Sequence, residues 1–222
     1  MNRVLAIETS SARLSLAAGT ETGVLKGYQG PLEWRHAETL FDGMKRVLAQ
    51  VRWPVQTLTG VLVSTGPGSF TGIRIGLAAA RALGQALRIP VAGVSSLQIL
   101  AYDLLKPGGR VCPVIDALRG EVFTALYEMD AKGRVKTVWK ECRLPYPELA
   151  RKLKLFPSRS VRLVQGGHPK ANVLLKLGLH QLAKKGADSY RRVVPLYLRS
   201  AAAAERRASP GVRRAAIKRR LR

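Results

Sequence analysis

Residues 61–80 read VLVSTGPGSFTGIRIGLAAA. The apolar run Val61, Leu62, Val63 breaks into a loop with glycines at 66, 68 and 72. An Ala/Leu/Ile-rich segment follows over about 71–87. This order predicts a strand, a tight Gly-rich turn and a helix. Gly66 and Gly68 flank Pro67, so the turn can adopt backbone angles closed to other residues. Ser69 and Thr71 are candidate N-caps for the helix. Backbone N–H groups at a helix start attract anions, phosphate among them. The phosphate-loop pattern GxxxxGK[ST] is absent, however, because Thr71 and Gly72 stand where Gly and Lys are needed. The plainer reading is a turn that lets a helix pack tightly on its strand.

Outward from this stretch, strands and helices alternate. Residues 3–10 (RVLAIETS) predict a buried strand and 14–18 a second one after a short turn. Residues 20–30 are polar and Gly-rich, as in a hairpin end and loop. Over 36–51, Leu40, Met44, Val47, Leu48 and Val51 recur at helical spacing. Glu38 and Asp42 lie toward the start of that helix and Lys45 and Arg46 toward its end, which suits the helix dipole. Residues 89–94 predict a strand. Ser95 and Ser96 cap a helix to about residue 105, and Lys106-Pro107-Gly108-Gly109 marks a boundary. Beyond it, strands 111–115 and 121–128 flank a turn at 116–120. Short strands and a Lys/Arg-rich helix near 147–155 then alternate over 133–165. Val161–164 is a strand, Gly166-Gly167 a tight turn and 172–185 the last clear helix.

Charge sets the protein apart. Lys and Arg number 38 against 14 acidic residues among 222, a net of +24. Residues 1–110 carry 12 basic and 6 acidic side chains, and 111–222 carry 26 and 8, so the excess lies in the second half. Such a field favours polyanions, RNA foremost, although no RNA-recognition module is visible and aromatic residues make up only 6%. Residues 200–222 are basic and of low complexity and cannot bury a core, which predicts disorder or a frayed helix. Arg213, Arg214, Lys218, Arg219 and Arg220 are its candidate RNA contacts; the plainer reading is a solvated tail. No apolar run approaches the roughly 18 residues of a membrane span, and the N-terminus reads as structure rather than as a signal peptide. Cys112 and Cys142 lie far apart without metal-ligand spacing, as in a reduced cytoplasmic protein.

Residues 64–84, STGPGSFTGIRIGLAAARALG, closely resemble the signature of the TsaB (YeaZ) family of tRNA threonylcarbamoyladenosine biosynthesis. VLAIETS (4–10), GVSSLQILA (93–101), VIDALRGEVFTALYE (114–128) and PLYLR (195–199) match other stretches of that family in the same order. The resemblance implies an α/β fold of two actin-like (ASKHA, ribonuclease H-like) domains, each a mixed sheet with flanking helices. Residues 1–106 would form the first, 107–199 the second, and 200–222 a tail. It also implies a non-catalytic, cytoplasmic subunit that holds TsaD in an active form. TsaD transfers a threonylcarbamoyl group to N6 of adenosine 37 in ANN-decoding tRNAs. The implied partners are TsaD, the ATPase TsaE, a second copy of the chain, and tRNA through the complex. The chain would have no cofactor of its own, with ATP or ADP held at the TsaD interface or used by TsaE.

Carried onto this sequence, the resemblance makes His36, Leu40 and Met44 interface candidates on the 36–51 helix. On the loop and the helix after it they are Gly66, Pro67, Gly68, Ser69, Phe70, Thr71, Gly72, Arg74, Gly76 and Leu77. The small-residue stripe on the second helix admits either internal packing or a helix of another chain. Glu8, Thr9 and Ser10, with Ser69 and Thr71, are candidate nucleotide or phosphate contacts, because the actin-like superfamily grips phosphate in its first strand turn. The superfamily's glycine after the acid is missing here, and turn-capping hydroxyls are the plainer reading. In TsaD the first helix binds a metal through histidines at i and i+4. Here His36 is followed at i+4 by Leu40, and one imidazole does not hold a catalytic metal. Asp116 falls on the family pattern D-A-x-x-G-E, and also fits a turn cap or a pair with Arg119. The rival functions are a nucleotide hydrolase of the superfamily, an older protease reading that the missing second histidine opposes, and a charge-driven RNA-binding protein.

Overall fold

The computed structural model describes residues 2–33, 35–157 and 160–198. The first sheet is built from β1 (Val4–Glu8), β2 (Arg13–Thr20), β3 (Gly23–Leu32), β4 (Gly60–Ser64) and β5 (Val91–Val94), in the order β3-β2-β1-β4-β5. β1, β4 and β5 run parallel, while β2 and β3 are antiparallel additions. Helices α1 (His36–Gln50) and α2 (Phe70–Leu87) connect these strands. α3 (Ser96–Tyr102) leads to a second sheet made of β6 (Arg110–Asp116), β7 (Glu121–Met129), β8 (Val135–Pro145) and β9 (Val161–Gln165). Its order is β8-β7-β6-β9, with β6 and β9 parallel and the rest antiparallel. This repeats the arrangement of β3-β2-β1-β4. The short α4 (Tyr146–Leu153) follows β8, and α5 (Ala171–Leu182) follows β9.

β1 and β4 are buried throughout, because helices cover both faces of their sheet. Leu5, Ile7, Val61 and Val63 pack with Leu40, Met44 and Val47 of α1 and Ile73, Leu77 and Ala80 of α2. The alternate residues Val4, Ala6 and Leu62 pack with Leu174 and Leu175 of α5. α5 lies so close that a side chain on Gly178 would meet Leu62. The linker near residue 107, where the sequence suggests a border, carries the chain to the second sheet, and α5 then brings it back to the first. α3 lies between the sheets: Ile99 joins the first core, while Leu97 and Ala101 pack with Val111 and Tyr127 of the second.

The structure corrects three local expectations. Residues 20–30 are not a loop but most of β3, an edge strand with a largely exposed face. β8 is one strand of 11 residues rather than several short ones, and its register shifts against β7 between Thr124 and Tyr127. α3 ends at Tyr102, three residues earlier than the spacing suggests. No helix among the described residues is long and apolar enough to cross a membrane. The basic stretch 200–222, with Arg213, Arg214, Lys218, Arg219 and Arg220, lies outside the described residues, as does Arg199.

Candidate functional site

The turn after β1 and the loop before α2 meet in one junction. Glu8 ends β1 fully buried, and its Oε1 accepts a hydrogen bond from the Ser10 N–H at 2.6 Å. Burial pushes its carboxyl up to about 7, against an opposing pull from Ser10 and the Ser64 hydroxyl. The Ser10 carbonyl accepts from the Ser69 N–H at 2.8 Å, which ties the turn to the loop. Ser69 caps α2, its hydroxyl accepting from the Gly72 N–H at 3.0 Å. Thr71 lies in the first helical turn and is exposed. The loop is anchored behind as well: Ser96 N–H donates to the Gly66 carbonyl at 2.8 Å, and Thr65 N–H to that of Val94 at 2.9 Å.

The glycines of the loop and helix serve this closure. A β-carbon on Gly72 would strike the Thr9 carbonyl oxygen, one on Gly76 the Thr9 hydroxyl, and one on Gly68 the Ser10 carbonyl. α2 therefore lies flush on the β1 turn. Thr9 and Ser10 are buried, and the Ser69 amide and hydroxyl bond within the protein. The residues expected to face phosphate thus come together, but as an interlocked turn, loop and cap.

His36 is buried at the start of α1. Its Nε2 lies 2.7 Å from the Ser11 carbonyl, and since a carbonyl only accepts, Nε2 carries the proton there. His168, after the Gly166-Gly167 turn, reaches the same residue, its Nδ1 lying 3.2 Å from the Ser11 hydroxyl. Among the described residues, no group of three or more His, Cys, Asp or Glu side chains is placed to hold a metal ion. Asp116 is a turn cap, Oδ1 accepting from the Leu118 N–H at 2.7 Å.

The interface candidates divide into two sets. His36, Leu40, Met44, Gly72, Gly76 and Leu77 face the interior; of the small residues of α2, Ala79, Ala80 and Gly84 pack inward while Ala78 and Ala82 are exposed. Gly66 and Pro67 are also buried, and Gly68 and Ser69 are half-buried. Phe70, Thr71 and Arg74 are exposed. The Arg74 guanidinium lies 3.7 Å from the centre of the Phe70 ring, and its Nε donates to the Tyr197 hydroxyl at 2.9 Å. Phe70 and Tyr197 are 56% and 55% exposed with ring centres 5.9 Å apart. The segment carrying Tyr197 is pinned beside them by Leu196 N–H donating to the Thr65 carbonyl at 2.8 Å. Tyr197 was not among the candidates; its signal was the PLYLR stretch, but its partner lies 123 positions earlier. Phe41, 61% exposed on the outer side of α1, was also missed.

Fold and junction together define a two-sheet mixed α/β protein whose first strand turn is closed by a glycine-rich helix start. The family model of TsaD, tRNA N6-adenosine threonylcarbamoyltransferase, matches residues 32–156. The chain belongs to this family, in its TsaB/YeaZ branch. It is 37% identical over 125 residues to the tRNA threonylcarbamoyladenosine biosynthesis protein TsaB of Bacillus subtilis, covering 56% of this chain and 55% of that one. The TsaB of Escherichia coli is 31% identical over 133 residues, 59% of this chain and 57% of its own. The chain thus spans a little over half the length of the curated relatives it matches. In structure it is similar to YeaZ from Pseudomonas aeruginosa, with a TM-score of 0.73 at 25% identity, covering 89% of this chain and all of that one. A second Pseudomonas aeruginosa structure, of an uncharacterized protein with similarity to peptidase YEAZ, gives 0.77 at 28% identity over 90% of this chain and all of the other.

Proposed function

We propose that the chain is a non-catalytic subunit in the threonylcarbamoylation of adenosine 37 of tRNA, serving as scaffold and activator of TsaD. One observation carries this reading: the exposed Phe70–Arg74–Tyr197 cluster stands on a closed junction, where the Ser69 amide and hydroxyl bond within the protein. Aromatic and Arg side chains on a rigid support suit a protein interface. In this reading the two sheets of matching strand order are a pair of actin-like domains. The exposed side of the first one docks TsaD, or a second copy in its absence, and TsaE and tRNA join through that assembly in the cytoplasm. ATP or ADP belongs to the interface with TsaD or to TsaE. His36 serves the fold through Ser11, which argues against a metal-dependent activity of the chain itself.

The test is reconstitution. TsaD and TsaE from the same source, with a supplier of threonylcarbamoyl-adenylate, are assayed for modified tRNA with and without this chain. Formation that depends on the chain supports the proposal, and equal formation without it defeats it. Gly76→Arg is a poor probe of the interface, because Gly76 is buried against Thr9 and the variant would not pack. Arg74→Glu probes the exposed cluster while sparing the core.

A further inference from the structure

Behind the junction, residues 189–194 pass along β5 and leave a cleft of about 500 Å³. Its floor is the edge strand, from Val91 to Gly93, with Thr65 of the loop. Its walls are the end of α5 and the 3₁₀ turn Ala187–Arg191 with the residues after it. The turn is fastened to the strand by the Val91 N–H, which donates to the Ser189 hydroxyl at 2.8 Å. Lys184, Lys185 and Arg192 line the cleft and are all exposed, and among the described residues no lining side chain is acidic. The nearby carboxylate Asp188 does not line it and acts instead on Arg191.

Cations at a helix end are ordinary, since they complement its carbonyls, and this accounts for Lys184 and Lys185 at the end of α5. It does not account for Arg192, which arrives on a separate segment and faces the same hollow. Like charges converging on one concavity repel each other unless an anion joins them. The volume suits a nucleotide, and the net charge of +24 adds a long-range attraction for polyanions. We propose that this cleft binds the phosphodiester backbone of RNA, with Lys184, Lys185 and Arg192 as the phosphate contacts. The choice of RNA rests on the function proposed above; the cleft itself does not.

The experiment titrates the full chain, without partners, into a fluorescein-labelled RNA stem-loop at several salt concentrations. The variant Lys184→Gln/Lys185→Gln/Arg192→Gln changes only exposed side chains, and its melting temperature checks the fold. It should bind at least about tenfold more weakly, and its log–log salt slope should fall by about two to three, roughly one per lost phosphate contact. Arg192→Lys, which keeps the charge, should retain most of the affinity. Wild-type affinity and slope in the triple variant would overturn the proposal. So would binding of tripolyphosphate at the cleft with no binding of the stem-loop, or loss of RNA binding only when Arg213, Arg214, Lys218, Arg219 and Arg220 are neutralised. If the triple variant loses RNA while reconstitution shows no need for the chain, the cleft stands and the scaffold reading falls. Chain-dependent modification with RNA binding unchanged in the triple variant means the reverse.

Discussion

Glu8 shows how a single position combines fold and chemistry. Its carboxyl is sealed behind Ser10 and Ser64, and burial raises it from the usual 4.5 to about 7. The group therefore stays protonated in the folded protein over a range where the unfolded chain releases the proton. Its contribution to stability is fully present below about pH 4.5 and is lost as pH rises through about 7, a change of about 3 kcal/mol. Melting curves across this window should show stability falling with pH in the wild type and a flatter profile in Glu8→Gln, whose amide oxygen can still accept from Ser10. Parallel profiles would remove Glu8 as the source. Gly72 and Gly76 offer a sharper steric contrast. In a helix, alanine normally gains up to about 1 kcal/mol over glycine. At Gly72 the new β-carbon meets a backbone carbonyl that cannot turn away, and at Gly76 it meets a hydroxyl that can. Gly72→Ala should cost about 2–3 kcal/mol by chemical denaturation and Gly76→Ala distinctly less. Equal values would mean that the turn yields as a unit.

At the scale of elements, α1 and α2 each bury the stripe that helical spacing marks and expose the side that the same spacing leaves unmarked. The sequence could not sort the interface candidates because apolar periodicity reports only that a face is covered, and the sheet of the same chain covers this one. Among the outward residues are Phe41 on α1 and Phe70 and Arg74 on α2. Arg74→Glu should leave the melting temperature nearly unchanged, since its contacts are exposed. If the cluster is the centre of the TsaD contact, binding of TsaD should weaken by about 30-fold or more, as for an interface hot spot. Calorimetric titration of the two proteins reads this directly, and an unaltered Kd would move the contact elsewhere. The 61–80 stretch was legible because strand, turn, cap and helix are all written within 20 positions. β3 and β8 were not, because both are edge strands whose polar residues face water and whose glycines or register shifts interrupt the alternation. Gly27 of β3 is small for a reason outside its strand: a β-carbon there would press on Asn172 of α5.

The whole molecule is held together by a return that no local pattern announces. A border near residue 107 divides the chain into two stretches, yet the first sheet is covered on one side by α5, from beyond the second sheet. Residues 189–196 then bind the loop through Leu196 and Thr65, and β5 through Ser189 and Val91. Val173, Leu174, Leu175 and Leu182 are all nearly or fully buried against that sheet. At about 1.5–3 kcal/mol for each buried side chain, these four contribute on the order of 6–12 kcal/mol, as much as the net stability of a typical domain. A fragment of residues 1–106 would keep α1, α2 and α3 but, without α5, expose much of Val4, Ala6, Ala17, Leu62, Ala92 and Val94 on its other face. It should therefore fail to reach a fixed core. Far-ultraviolet circular dichroism would show helix and strand, near-ultraviolet bands would be weak, and backbone amides of β1 and β4 would exchange far faster than in residues 1–198. Adding a peptide of residues 168–198 should restore part of that protection. A cooperatively melting 1–106 fragment with protected β1 and β4 would instead mean that α1 and α2 suffice, and that α5 is an attachment rather than half of the first core.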